Sequence, residues 1–122
     1  MNPIDFYAKV LEKLEVTGQG QTATAQDALL VEQAYGSLLE QLTDEELADW
    51  SVSDDLPEWS VRIMVSMVAA DLVTEFGVEG DRAAKLIAEG AWNLPEPSLA
   101  ERRLRKHQAA SYISTPAQPE YF

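Results

Sequence analysis

Residues 57–77, PEWSVRIMVSMVAADLVTEFG, decide how the rest of this chain is read. Pro57 suits a first helical position, because its missing N–H would have no intrahelical partner there. Glu58 adds a negative charge to the first turn, where the helix dipole favours one. Gly77 stands where a left-handed C-terminal cap usually falls. Between these ends lie Trp59, Val61, Ile63, Met64, Val65, Met67, Val68, Ala69, Ala70, Leu72, Val73 and Phe76, and only Arg62, Ser66, Asp71, Thr74 and Glu75 are clearly polar. A helix apolar on most of its circumference is surrounded by other elements. The stretch therefore predicts one helix at the centre of a small helical domain. It is no membrane span, which needs about 20 apolar residues, and Arg62 and Asp71 interrupt it.

Other helices are expected on both sides. Ile4, Tyr7, Val10, Leu11 and Leu14 recur at the spacing of one helical face, predicting a first helix over 4–15. Residues 16–23, VTGQGQTA, are too small and polar to bury much and form a loop. A second helix is expected from Ala25 to Leu42, with Thr24 as N-cap and Asp27 at the third helical position, a capping-box-like start. Val31, Tyr35, Leu38 and Leu42 make its buried stripe. Gly36 costs about 1 kcal/mol relative to alanine there, which suggests close approach of another helix. In residues 43–56 Thr43 can cap a short turn, and Trp50 is expected to fold back onto the core. The acids of this connection lack the alternating ligand pattern and central glycine of a calcium loop. Asp81 can cap a fourth helix running to about Trp92, with Ala83, Leu86, Ile87, Gly90 and Ala91 inward. Pro95 and Pro97 then stop it.

After that the character changes. Residues 98–110, SLAERRLRKHQAA, can form a helix capped by Ser98 with Glu101 at the third position. Its apolar face is only Leu99, Ala100 and Leu104, and its four cations fall within five positions. Residues 111–122, SYISTPAQPEYF, have two prolines and no periodicity. They nevertheless carry Tyr112, Ile113, Tyr121 and Phe122, residue types that disordered tails normally lack. The fold expected is all-α: a four-helix bundle with a short basic fifth helix and an extended C-terminal arm. It divides into an acidic helical bundle over 1–97 and a basic helix with docking arm over 98–122.

Charge follows the same division. The 122 residues carry a net −12. Residues 1–97 hold 19 acids and 5 bases, a balance of −14, and residues 98–122 hold 2 acids and 4 bases, a balance of +2. So acidic a body repels nucleic acid, or simply keeps a small protein soluble. There is no cysteine, which excludes disulfides and thiolate metal sites. The opening MNPIDFYAKV has no signal-peptide pattern, so synthesis in the cytosol is expected. No phosphate-binding glycine loop, nucleophile elbow or paired-histidine metal motif occurs. The single histidine, His107, reads as a surface residue. No catalytic residue, cofactor or metal is expected.

The order of features resembles one family. A short N-terminal helix carries the run Ala8-Lys9-Val10-Leu11-Glu12-Lys13-Leu14-Glu15-Val16. A polar loop, a long helix, a tryptophan-bearing link, an apolar helix, a further short helix and a C-terminal extension follow. This is similar to the head-to-tail adaptors of tailed bacteriophages, in particular the head-completion, packaged-DNA-stabilising proteins of short-tailed phages. The resemblance spans most of the chain through loose motifs. It implies a virion structural protein made in the host cytoplasm. Such proteins form a ring, typically of about twelve copies, beneath the portal protein of the filled capsid. Double-stranded DNA passes through the ring without sequence-specific binding, and tail or nozzle proteins dock on the far side. Members without the longer C-terminal lid of some relatives resemble this chain better than members that carry it.

On that reading an acidic lumen would repel phosphate over about 8 Å at physiological salt. Arg102, Arg103, Arg105 and Lys106 would pair with acids on the portal or a neighbouring subunit. Tyr112, Ile113, Tyr121 and Phe122 would anchor the arm, aromatic residues and arginine being those that most often dominate interface energy. Two alternatives explain the charge equally well: an acidic DNA mimic that inhibits a nucleic-acid enzyme, and a small regulatory subunit docking through its tail. Neither accounts as well for cations and aromatic residues collecting at one end.

Overall fold

The computed structural model describes residues 1–18 and 23–113, with side chains to residue 110. Among these residues the chain is all-helical: α1 (Pro3–Lys13), α2 (Ala25–Asp44), a 3₁₀ turn (Glu58–Ser60), α3 (Val61–Asp71), α4 (Gly80–Gly90) and α5 (Leu99–Ile113). It is a small helical bundle, as the apolar periodicity predicts. Among the described residues no helix is long and apolar enough to cross a membrane.

α3 is the central element and touches every other helix. Its residues Ile63, Met64, Met67, Val68, Ala69 and Ala70 are buried. The helix is shorter than expected at both ends. Pro57 stands outside it in an extended conformation, and Ser60 Oγ donates to the Pro57 carbonyl at 2.7 Å. That bond tightens the entry into a 3₁₀ turn. At the other end, bonding shifts to i→i+3 from the Leu72 N–H to the Ala69 carbonyl, where β-branched Val73 and Thr74 follow and disfavour regular helix. The chain still closes as expected on Gly77, whose φ is 68°. The Val78 N–H reaches the Val73 carbonyl and the Gly77 N–H the Thr74 carbonyl, the paired bonds of a left-handed helix end.

Two further helix ends use this arrangement without glycine. Glu15 (φ 61°) follows α1 and Glu46 (φ 60°) follows α2. The bonds are from the Val16 N–H to the Leu11 carbonyl and from the Leu47 N–H to the Leu42 carbonyl. Left-handed backbone costs a residue with a Cβ about 1–2 kcal/mol. α2 runs on to Asp44, so Thr43 lies inside it and caps no separate turn.

Helix starts follow the expected chemistry in part. Asn2 caps α1 by accepting from the Asp5 N–H, and Thr24 caps α2 by accepting from the Asp27 N–H. α4 begins at Gly80 rather than behind an Asp81 cap, and Asp81 lies in its first turn. Ser98 caps α5 by accepting from the Glu101 N–H at 3.2 Å.

One cluster of buried side chains draws on every helix and on the 45–56 connection. Phe6, fully buried, stacks obliquely on Tyr35 with ring centroids 4.7 Å apart. The stripe on α1 thus includes Phe6 and excludes Ile4, which is 76% exposed. Ile87 on α4, expected inward, is also exposed, because that helix buries only Leu86 and Gly90. The close approach expected at Gly36 is absent, since a Cβ there would meet Val52 at an ordinary 3.7 Å. It occurs at Gly90 instead, where a Cβ would fall 2.0 Å from the Ser66 carbonyl oxygen of α3.

α5 is neither short nor separate. It has 15 residues against 11 in each of α1, α3 and α4. Ala100 and Leu104 belong to the same buried cluster as the preceding helices. Packing is continuous across residue 97. Helix continues to Ile113, past the expected start of the extended arm, and residues 114–122 lie outside the described residues.

Candidate functional site

The structure distributes the four cations of α5 unequally. Arg102, Arg103 and Lys106 are exposed, with no ion pair among the described residues. Arg105 differs. Its Nε meets Glu101 Oε2 at 3.0 Å, its Nη2 meets Glu45 Oε1 at 3.2 Å, and its guanidinium lies 5.1 Å over the Trp92 ring. The resemblance implies that Arg105 pairs with another molecule, whereas these contacts all lie within its own chain. Glu101, 5% exposed, also accepts from the Asn93 N–H at 3.1 Å. Its carboxylate thus ties α5 to the end of α4 rather than closing a capping box on Ser98. The side chains of Tyr112 and Ile113, and all of Tyr121 and Phe122, lie outside what the structure describes.

A ladder of rings crosses from α2 to α5. The Trp50 indole Nε1–H donates to Tyr35 Oη at 2.8 Å, which holds the connection against the core as expected. Trp59 meets Trp50 edge to face, with centroids 5.9 Å apart at 88°. His107 stacks on Trp59 at 3.5 Å and 11°. His107 is therefore a half-buried packing residue, not the free surface residue expected. Its spacing carried a signal: positions 100, 104 and 107 fall on one helical face, and two of them are buried.

Burial pushes the Tyr35 hydroxyl up to about 12. An unfolded tyrosine ionises near its ordinary value of 10.0. Above that pH the unfolded state loses a proton that folded Tyr35 keeps, so stability falls as pH rises. Tyr35→Phe should therefore flatten the alkaline loss of stability. At neutral pH it should cost about 1–3 kcal/mol, because it strands the Trp50 donor. Urea unfolding at neutral pH and just above pH 10 tests both parts.

The rings wall a cleft of about 400 Å³, lined by Glu46, Leu47, Ala48, Asp49, Trp50, Trp59, His107 and Gln108. Glu46 and Asp49 are exposed and form no ion pair among the described residues, His107 included. Nearer the N-terminal end of α5 a smaller cleft of about 190 Å³ is lined by Lys13, Arg62, Ser66, Glu89 and Arg103, among others. Along α5 a mainly basic cleft at residues 99–103 is thus followed by an aromatic and acidic one at residues 107–108. The basic residues of this helix are legible in the sequence and the aromatic cleft is not. Trp59 reads as part of the central helix and His107 as a surface residue, so their meeting is not visible in the sequence.

Among the described residues, no group of three or more His, Asp or Glu side chains is arranged to hold a metal ion. No family model, no curated protein and no solved structure matches the chain.

Proposed function

We propose that this chain is a structural adaptor of a bacteriophage head-to-tail junction, one that assembles as a ring, binds a portal through its C-terminal region and lets DNA pass. The order of helices, the acidic body and the aromatic residues after α5 support this reading. The observation that carries it is the outer face of α5. Arg102, Arg103 and Lys106 stand exposed, with no ion pair among the described residues, on a helix whose other side is anchored by Ala100 and Leu104. Three exposed cations on a chain of net charge −12 are a surface suited to acids on another molecule. They lead into residues 112–122, which hold the aromatic candidates Tyr112, Tyr121 and Phe122. Arg105 drops out of the docking set. The acidic body belongs to a conduit that does not grip phosphate.

Electron microscopy of portal rings mixed with the full chain tests the reading. The full chain should decorate the ring. Removing residues 114–122, or changing Arg102, Arg103 and Lys106 together to glutamate, should abolish decoration while circular dichroism stays unchanged. A full chain that leaves portal rings bare, or that binds duplex DNA at submicromolar concentration near physiological salt, would overturn it. Competition with DNA for a nucleic-acid enzyme would instead select the mimic.

A further inference from the structure

Two groups of similar chemistry lie side by side where α2 ends. In the first, Trp92 and the carboxylates of Glu45 and Glu101 hold the guanidinium of Arg105. In the second, Trp59 and Trp50 share a cleft with the carboxylates of Glu46 and Asp49. Consecutive residues of α2's end, Glu45 and Glu46, serve one group each. The first is satisfied within the chain. No lysine or arginine of the described residues forms an ion pair with Glu46 or Asp49, and residues 19–22 and 114–122 contain neither residue type.

We propose that this cleft is a docking site for an arginine side chain presented by a segment of another protein. Its chemistry is the one the chain already uses on Arg105: an indole beside the guanidinium and two carboxylates to accept its N–H groups. Arginine fits better than lysine because its planar fork both stacks on rings and bonds carboxylates in pairs. A hydrated divalent cation fits poorly, since such ions want several oxygen ligands and two sides of this cleft are indole and imidazole. The walls are already fixed. Trp50 is held by Tyr35 and Trp59 by His107, so little ordering opposes binding. This site uses none of the residues assigned to portal docking and stands whether or not the adaptor reading holds.

The three tryptophan indole N–H signals of the ¹⁵N-labelled full chain give the test. A blocked Gly-Arg-Gly peptide should shift the Trp59 and Trp50 signals saturably and leave Trp92 in place. The same peptide with citrulline, which keeps the shape and removes the charge, should bind at least about tenfold more weakly. Glu46→Gln with Asp49→Asn should weaken the arginine response by about tenfold or more. Glu75→Gln with Glu79→Gln, an equal charge loss elsewhere, should leave it intact. Circular dichroism confirms that each variant is folded. No response at millimolar arginine peptide would overturn the proposal, as would equal responses to both peptides or equal losses in both double variants. Signals that move only with the chain's own concentration would assign the cleft to a second copy and overturn it too.

Discussion

Gly90→Ala should be the most damaging single-methyl change in the bundle. A Cβ at this position would stand 2.0 Å from the Ser66 carbonyl oxygen, 2.4 Å from its carbon and 3.0 Å from the Met67 nitrogen. All three are backbone atoms in the middle of α3, so no side chain can swing aside. α4 must move away from α3, and that motion opens the packing around Leu86 and Met67. Overpacking typically costs about 1–3 kcal/mol, occasionally more. The rigid partner places this site at the upper end, even after alanine's better helix propensity returns about 1 kcal/mol. Gly36→Ala is the control: it adds the same methyl at a 3.7 Å contact and should stabilise by about 0.5–1 kcal/mol. Urea midpoints moving in opposite directions would bear out the crossing. A tolerated Gly90→Ala would mean that α3 and α4 do not touch there.

Leu104→Ala separates two views of the C-terminal region. If α5 were a detachable arm, trimming one of its leucines would barely change the stability of the body. Leu104 is completely buried, however, and belongs to the central cluster. The substitution should cost about 2–5 kcal/mol in global unfolding, as for other buried leucines. Arg105→Ala removes the neighbouring contacts to Glu101, Glu45 and Trp92 and should add a smaller loss, since it leaves nearly buried Glu101 without its cation. A Leu104→Ala midpoint unchanged in chemical denaturation would return α5 to the arm and restore the division at residue 97.

Much of the bundle was legible in the residues, and the misses have common causes. Thr24, Ser98 and Gly77 end or begin helices by local chemistry, and local chemistry is what sequence shows best. The periodicity on α1 gave a face but not its width: Phe6 and Ile4 sit at opposite margins of one stripe, and only the neighbouring helices decide which margin is covered. The same holds for the glycines. Gly36 and Gly90 look alike in sequence, and the separation of the facing backbone is a tertiary quantity. On α5 four cations within five positions outweigh Ala100 and Leu104, the two apolar residues that it buries. One flank of a helix can be strongly charged while the other is core. The aromatic cleft depended on residues about 50 positions apart in sequence, and nothing local announces such a meeting.

The ring contacts of α5 give the molecule a built-in gauge. Trp59 and Trp92 each lean on an α5 side chain, His107 and Arg105 respectively, whereas Trp50 is tied to Tyr35 on α2. Lifting α5 alone would strip two of the three indoles of a partner and leave the third bonded. Intrinsic emission would then register the docking of this one helix apart from total helicity, with no dye or label attached.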